Sequence, residues 1–265
     1  MQRRPRAYTP SVTAEDPLRT VASWLAGAGE VLVFTGAGIS TESGIPDFRG
    51  PNGVWRTRDP SRYTIQRFLA EPEVRREVWR TRADSPVDAA RPNAGHRAVV
   101  DLERAGLVRV VVTQNIDGLH QEAGSTDVIE LHGTTRRAGC LSCGRRMPIE
   151  VVLDRVREGD DDPHCEACGG LLKSATISFG QALVEADVER AMAVAERCDV
   201  CLAAGSTLSV WPAAGVPLAA ARGGARLVIV NDGETDLDMA ASARIAGRCG
   251  EVLPALVGEV LARRG

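Results

Sequence analysis

Lysine is almost absent from this chain of 265 residues, and aromatic side chains are scarce. Lys173 is the single lysine, so nearly all of the 32 basic residues are arginine, and aromatic residues make up 4% of the chain. The 35 acidic residues leave a net charge of −3. This balance disfavours a dedicated nucleic-acid-binding protein, which usually presents a basic domain. The preference for arginine, together with abundant alanine and glycine, indicates a GC-rich genome and a bacterial source.

Long apolar runs are missing as well. No window approaches 18 consecutive apolar residues, so we expect no membrane-spanning helix and no membrane partner. The first residues, MQRRPRAYTP, are basic but lack the apolar stretch of a secretory signal, which predicts a cytoplasmic location. In that reducing compartment cysteines more often bind metal or take part in chemistry than form disulfides.

The sequence does contain short, valine-rich runs separated by helical patterns. The expected strands are residues 31–35, 107–113, 200–204 and 227–230, and the expected helices are residues 16–28, 94–105 and 187–197. Such runs are typical of strands buried on both faces of a parallel sheet. Their alternation with helices predicts an α/β fold with a Rossmann-like parallel sheet.

Two stretches interrupt this alternation. Residues 46–92 are rich in Arg, Pro and Trp and predict a small helical insertion. Residues 136–174 carry four cysteines and predict a compact module inserted into the larger domain. The Rossmann-like domain should then comprise residues 15–45, 93–135 and 175–262.

The cysteines of this module form two C-x-x-C pairs. The pairs are Cys140 with Cys143 and Cys165 with Cys168. Two such pairs at this separation match a tetrahedral site for one structural zinc ion, because four thiolates leave no open position for a substrate. The alternative, a redox-active pair, does not explain the second C-x-x-C.

A third C-x-x-C pair, Cys198 and Cys201, is interpreted differently. Cys201 lies inside the apolar run 200–204, and Cys198 closes the preceding helix. Free cysteine commonly acts as a small buried hydrophobic residue, so we expect these two thiols to pack in the core.

A glycine loop follows the first strand. Gly36, Ala37 and Gly38 come directly after the run 31–35. A strand that leads into G-x-G is how Rossmann-type folds present main-chain N–H groups to a pyrophosphate. The full G-x-G-x-x-G is absent and no acidic residue clearly follows a second strand, which disfavours a conventional dehydrogenase.

Polar residues follow several of the other apolar runs. Asn115, Asp117 and His132 should lie at carboxyl ends of strands, the edge of an open α/β sheet where ligands bind. Each residue alone is compatible with a turn or cap, whereas the set favours a cofactor site. His96 is interpreted as helix entry and packing, and His120 as structural.

Six motifs in order complete the pattern. They are GAGIS at 36–40, GIPDFRG at 44–50, TQNID at 113–117, LHG at 131–133 and, after the cysteine module, GST and NDG at 205–207 and 231–233. Over about residues 20–260 the chain resembles the sirtuins, the NAD-dependent protein deacylases. Within that family it is most similar to the class that includes the mitochondrial lipoamidase and ADP-ribosyltransferase member.

The resemblance implies a reaction that consumes NAD and releases nicotinamide and O-acyl-ADP-ribose from an acyl-lysine protein or peptide. His132 corresponds to the base that takes a proton from a ribose hydroxyl, and Asn115 and Asp117 to the catalytic amide and ribose contacts. The residues expected to contact NAD are Gly36, Ala37, Gly38, Asp47, Phe48, Arg49, Gln114, Asn115, Ile116, Asp117, Gly205, Ser206, Thr207, Asn231, Asp232, Gly233 and Cys249. The substrate peptide is expected between Phe179 with Gly180 and Ser209 with Val210.

This sequence departs from the family pattern in two places. Gln181 stands where many members carry Glu, and residues 79–85 lack the pair of a Tyr and an Arg, three apart, that desuccinylating members carry. A preference for acidic acyl groups is therefore not supported. Two alternative functions remain open here, namely mono-ADP-ribosyl transfer from the same NAD site and non-catalytic NAD sensing. The acidic residues at 160–162 disfavour nucleic-acid binding by the cysteine module.

Overall fold

The computed structural model describes residues 16–48, 50, 53–56 and 59–265. The basic N-terminal stretch and Arg49 lie outside them. The strands, in chain order, are β1 (Val31–Thr35), β2 (Val108–Thr113), β3 (Val128–Glu130), β4 (Gly133–Cys140), β5 (Arg146–Pro148), β6 (Leu172–Thr176), β7 (Val200–Ala204), β8 (Arg226–Asn231) and β9 (Ala243–Ala246). The α-helices are α1 (Pro17–Ala26), α2 (Ile65–Ala70), α3 (Pro72–Ala83), α4 (Ala94–Arg104), α5 (Leu119–Ala123), α6 (Ile149–Arg157), α7 (Glu185–Ala195), α8 (Gly215–Arg222) and α9 (Cys249–Ala262).

Six strands form a parallel sheet in the order β3-β2-β1-β7-β8-β9. Every residue of β1 and of β7 is buried, as expected for valine-rich strands that are covered on both faces. The two strands pair in one continuous register from Val31 opposite Val200 to Thr35 opposite Ala204. The α/β fold with a Rossmann-like sheet is therefore confirmed.

Helices cover both faces of this sheet. One buried apolar cluster joins it to α1, α4 and α9, and a second cluster joins the opposite face to α7 and α8. The first helix begins where the sequence provides a cap, since Asp16 accepts hydrogen bonds from main-chain N–H groups and Pro17 fits the first turn. Within the described residues, no helix combines the length and apolar character needed to cross a membrane.

The strand order reverses between β1 and β7. The chain adds strands outward from β1 through β2 to β3, and then returns to the other side of β1 and continues from β7 to β9. In open α/β sheets, the crevice at the carboxyl ends of the strands beside such a reversal is where ligands bind. The loops that follow β1, β2 and β7 all leave the sheet at this edge.

Several elements differ from the sequence expectation. The sequence did not indicate β3 or β9, which are three and four residues long. The expected strand 107–113 begins one residue later, and the expected strand 227–230 is longer by one residue at each end. Short strands at the sheet edge carry too few residues to produce a periodic signal.

The cysteine module is built on a second sheet. Its strands are antiparallel in the order β5-β4-β6, with α6 packed against them. The sheet starts at Gly133 and ends at Thr176, so it extends past residues 136–174 on both sides. Because β4 begins one residue after His132, the module is joined directly to the edge of the main sheet.

The helical insertion shares its core with the cysteine module. Trp79 of α3 is fully buried in a cluster that contains Cys140 and Cys165. On the same interface, the Arg75 guanidinium donates two hydrogen bonds, of 2.8 and 2.7 Å, to the Asp162 carboxylate. Two insertions that are far apart in sequence therefore form one small lobe.

We expect the Arg75–Asp162 pair to stabilise this lobe. Replacing Arg75 with Met should lower the free energy of unfolding by about 3 kcal/mol, since it leaves a largely buried carboxylate without its partner. Arg76→Met is the matched control, because Arg76 and Asp161 form an exposed pair, and it should cost less than about 1 kcal/mol. Urea unfolding of the two variants measures both values, and equal losses would contradict the prediction.

Candidate active site

The glycine loop after β1 rests on the loop after β7. Gly36 N donates to Ala204 O at 3.1 Å, and Gly38 N donates to Gly205 O at 2.8 Å. Gly205 has φ of +66°, and a Cβ at this position would lie 2.3 Å from Ile39 N. Only glycine permits this conformation together with this approach of two main chains. The two loops therefore form one continuous floor at the strand reversal.

Asn115 and Asp117 are tied to the glycine loop through Ser40. Asn115 Nδ2 donates to Gly36 O and to Ser40 Oγ, both at 3.1 Å, and Ser40 Oγ donates to Asp117 Oδ2 at 2.8 Å. Asn115 is 6% exposed and Asp117 is 5% exposed. The structure thus brings both predicted residues together. Ser40 is a site residue that the sequence reasoning missed, although it is the last residue of the GAGIS motif.

Gln114 connects this cluster to the loop after β7. Its Nε2 donates to Ser206 Oγ at 2.8 Å, and the same oxygen accepts from Leu208 N at 3.1 Å. Leu208 has φ of +55°, which costs a non-glycine residue about 1–3 kcal/mol. Strained backbone of this kind clusters at functional sites. Thr207 lies in the same loop, and its Oγ1 is 2.8 Å from Ser209 Oγ.

His132 is attached to the same cluster by its ring. Its Nδ1 lies 2.9 Å from the main-chain oxygen of Gln114. A carbonyl oxygen can only accept, so Nδ1 carries the proton and the neutral ring keeps its lone pair on Nε2. Ile177 N donates to His132 O at 2.8 Å, which holds the main chain of His132 against the end of β6. The half-buried imidazole is thus held in one tautomer at the sheet edge.

Two buried histidines lie beneath the site. His96 completes a capping box at the start of α4 and lies 3.5 Å from Ser40 Oγ through Nε2. His120 Nε2 is 2.9 Å from Thr35 Oγ1, and Thr35 donates to Thr113. Burial lowers the pKa of His96 to about 4 and the pKa of His120 to about 3. Both rings are therefore neutral near pH 7, and the interpretation of His96 as helix entry and packing is confirmed.

The far edge of the predicted cofactor site lies at the end of β8. Asn231 Nδ2 donates to Gly233 O at 2.9 Å, and Arg244 donates to the same oxygen at 2.8 Å. Asp232 lies between Asn231 and Gly233 in this turn. The thiol of Cys249, at the first position of α9, is buried, and burial raises its pKa to about 12. A neutral thiol of this kind is a poor nucleophile.

The remaining predicted residues occupy two other places. Asp47 Oδ1 accepts from Gly50 N at 2.8 Å, and the neighbouring Phe48 is 37% exposed. Phe179 forms an isolated parallel bridge with Thr64, and its carbonyl accepts from Ile65 N at 2.9 Å. Gly180, Ser209 and Val210 follow in the two segments expected to hold a peptide.

The four predicted metal ligands lie together. The Sγ atoms of Cys140, Cys143, Cys165 and Cys168 all lie within 4.8 Å of one another. The main-chain N–H groups of Cys143 and Ser142 point at Cys140 Sγ and lower its pKa, which favours the thiolate that binds a metal. Four sulfur donors at this spacing fit a tetrahedral zinc ion. The donor set and geometry therefore suit one structural zinc.

The third C-x-x-C pair behaves as expected from the sequence. Cys198 and Cys201 are buried in the core between the sheet and α7, and burial raises the pKa of both thiols. Within the described part of the chain, the only group of three or more metal-ligating residues is the four-cysteine cluster. The assignment of this pair to the core is confirmed.

These features define an α/β protein with a glycine loop, an oriented imidazole and a cysteine module beside the sheet edge at which such folds bind dinucleotides. The Sir2 family model matches residues 36–212, and the chain belongs to the Sir2 family.

Known relatives cover nearly the whole chain. NAD-dependent protein deacetylase 2 of Streptomyces coelicolor is 48% identical over 238 residues, which are 88% of this chain and 98% of the relative. A solved Sir2 enzyme superimposes with a TM-score of 0.86 at 40% identity and covers 94% of this chain and 99% of its own. A solved Sir2 variant with a deacetylated p53 peptide and 3′-O-acetyl-ADP-ribose has a TM-score of 0.85 at 36% identity. The match covers 91% of this chain and 98% of the variant's chain. The family predicted from the sequence is confirmed.

We expect zinc binding to require the four cysteines of the module and no other cysteine. Cys140→Ala should abolish zinc binding and destabilise the small lobe, because three thiolates remain for a four-coordinate ion. Cys198→Ala is the matched control and should retain the wild-type zinc content. Metal analysis of the purified variants measures both, and zinc loss in the Cys198 variant would refute the assignment.

The buried histidines predict a loss of stability in mild acid. Their folded pKa values lie below the unfolded value of about 6.5, so the unfolded state binds more protons as the pH falls. The contribution of these histidines to the free energy of unfolding is fully present above pH ~6.5. Below that pH it should fall by up to about 1.4 kcal/mol per pH unit for each histidine. The fall should continue to about pH 4 for His96 and about pH 3 for His120.

Unfolding in urea at pH 6.5 and 5 tests this dependence. His120→Gln should remove about half of the change in the free energy of unfolding between these two pH values. The exposed His164 provides the control, since His164→Gln should leave the dependence unchanged. An equal pH dependence in wild type and His120→Gln would count against the prediction.

Proposed function

We propose that this protein is an NAD-dependent protein-lysine deacylase that consumes NAD and releases nicotinamide and O-acyl-ADP-ribose. Support comes from the deacetylase name of the 48% identical relative and from the solved Sir2 variant with its deacetylated peptide. The observation that carries the proposal is the hydrogen bond from His132 Nδ1 to Gln114 O. It leaves the lone pair of a neutral imidazole on Nε2, beside the loop that holds Asn115 and Asp117.

The residues at the strand reversal suit a dinucleotide. The loop of Gly36, Ala37 and Gly38 would lie against the pyrophosphate half, as glycine loops at a strand end do. Ala37 N–H would be its main-chain donor, because the N–H groups of Gly36 and Gly38 already donate to Ala204 O and Gly205 O. Ser206 and Thr207 would line the same half from the β7 loop. When bound, NAD supplies a ribose whose bond to nicotinamide can break. Asn115 and Asp117 would hold that end, since Ser40 fixes both of their polar groups.

We assign the role of general base to His132. Its Nε2 would accept the proton of a ribose hydroxyl, while Nδ1 would keep its own proton and go on donating it to the Gln114 carbonyl. A neutral imidazole can accept a proton near pH 7, and general bases contribute about 10²–10⁴-fold to rate. Gln114 would also link the base to Ser206, because its side chain reaches that hydroxyl.

The outer parts of the site would enclose the cofactor and the peptide. Asn231, Asp232, Gly233 and the main chain of Cys249 would contact the adenosine end. Asp47, Phe48 and Arg49 would form the loop over the nicotinamide end. An acyl-lysine peptide would add as a strand between Phe179 with Gly180 and Ser209 with Val210, where main-chain hydrogen bonds give affinity without strong sequence preference.

Neutral acyl groups are the proposed substrates. In α3, the Arg82 guanidinium is already engaged, because it donates two hydrogen bonds to Asp88 and one to Thr135 O. Trp79 is buried in the small lobe. Neither side chain is therefore placed to recognise a carboxylate on the acyl chain, which favours acetyl or longer neutral acyl groups on cytoplasmic proteins.

Mono-ADP-ribosyl transfer and NAD sensing are less favoured. The relatives are named as deacetylases, and the imidazole, amide and carboxylate expected of a catalytic site are all present together. If transfer to protein were the main activity, nicotinamide release would not depend on an acylated peptide. A sensor would bind NAD without releasing nicotinamide.

A panel of acyl-lysine peptides of varied chain length tests the proposal. Mass spectrometry should detect nicotinamide and O-acyl-ADP-ribose only when NAD and a neutral acyl peptide are both present. His132→Ala and His132→Asn should each lower kcat by about 10²–10⁴-fold. The asparagine amide can still donate to Gln114 O but has no basic lone pair, so it separates orientation from proton transfer.

The same variants must keep their fold and their zinc. Wild-type turnover by His132→Asn would refute the assigned base, and peptide-independent nicotinamide release would favour ADP-ribosyl transfer. Zinc loss in His132→Ala would show that the residue supports the cysteine module instead.

A further inference from the structure

Arg136 joins the cysteine module to the loop that carries Asp117. It lies on β4, four residues after His132. Its Nε donates to the main-chain oxygen of Asp117 at 2.8 Å, and its Nη2 donates to Glu122 at 3.0 Å. Glu122 is on α5, which begins directly after this loop. One guanidinium therefore contacts both the loop that carries Asp117 and the helix that follows it.

The main chain of the turn leaves room for this contact. Gly118 has φ of +72°, and a Cβ there would lie 3.0 Å from both Cγ and Nε of Arg136. The arginine stem thus packs directly on the Gly118 backbone. A side chain at position 118 would push the guanidinium away from the Asp117 carbonyl.

A second contact from the same strand fixes the preceding residue. Thr135 donates twice to Ile116 O, from its N and from its Oγ1, each at 2.8 Å. Thr135 O in turn accepts from Arg82 of the helical insertion at 3.1 Å. Two successive carbonyls, those of Ile116 and Asp117, are therefore held by two successive residues of β4.

On the other side of the loop, the side chains face the glycine loop. Asp117 Oδ2 accepts from Ser40 Oγ, and Asp117 Oδ1 accepts from Leu119 N. The loop is thus held between Ser40 in front and Arg136 behind. Loss of either contact would allow the Asp117 carboxylate to move, and displacements of about 1 Å in a positioning group can cost about 10²-fold in rate.

We propose that Arg136 is a positioning residue for NAD, which fixes the Asp117 main chain so that the Asp117 carboxylate meets the nicotinamide-ribose end of the cofactor. This inference rests on the proposed function. Arg136 itself does not touch the cofactor. It acts through the Asp117 carbonyl, and Glu122 orients it by binding the other end of the guanidinium.

The test measures NAD affinity by calorimetry as well as turnover. Arg136→Met should weaken NAD binding about tenfold and raise the KM for NAD similarly, with little change in the KM for peptide. Arg136→Lys should recover part of the loss, because an ammonium can still donate to the Asp117 carbonyl. Arg137→Met is the matched control, since Arg137 is the exposed neighbour on the same strand, and its NAD affinity should equal that of the wild type.

The NAD affinity of the variants decides whether Arg136 positions Asp117. Wild-type NAD affinity in folded, zinc-loaded Arg136→Met would overturn the proposal. If that variant does not fold, Glu122→Gln is measured in its place. Two- to fourfold weaker NAD binding by Glu122→Gln would support the proposal, and unchanged NAD binding would refute it. Because NAD affinity is measured without peptide, the result stands even if the wild-type protein binds NAD but fails to deacylate. Failure of the wild type to bind NAD would instead refute the proposed function.

Discussion

The candidate site depends on the hydrogen bonds that the Ser40 hydroxyl makes to Asp117 and Asn115. The hydroxyl has one proton, which it donates to the Asp117 carboxylate, and its oxygen accepts from the Asn115 amide. These three groups come from loops after two neighbouring strands, β1 and β2, and all are buried. Because a buried polar group without a partner costs about 1–3 kcal/mol, each of the three restricts the other two. The amide and the carboxylate are therefore oriented before any ligand binds.

Much of this arrangement could be predicted from the sequence, because valine-rich runs identified the central strands and polar residues followed them. The site residues outside those strand ends could not be found in this way. Ser40 reaches Asp117 across 77 positions, and Arg136 reaches Asp117 across 19, so neither contact has a local signal. The short strands β3 and β9 were missed for a related reason. Their positions follow from pairing with longer neighbours and not from their own composition.

The sequence also gave no sign that the two insertions form one lobe. Trp79 could be identified as a large apolar side chain, but only the structure shows that it packs beside Cys140 and Cys165. The zinc site and the helical insertion consequently depend on one shared core. The expected division into residues 46–92 and 136–174 remains a prediction about domains, although the two stretches pack as one unit. The metal would then stabilise the helical insertion as well as its own module.

The tautomer and the position of the proposed base, His132, are also set by a few contacts. An imidazole in water exchanges between two tautomers, whereas the carbonyl of Gln114 accepts only from a protonated Nδ1. The side chain of Gln114 reaches Ser206, so one residue connects the base to the loop after β7. His132 is followed at once by β4, whose residues Thr135 and Arg136 hold the loop that contains Asp117. The base and the carboxylate are thus positioned by the same strand, because His132 directly precedes β4 and the Arg136 side chain on β4 holds the Asp117 carbonyl.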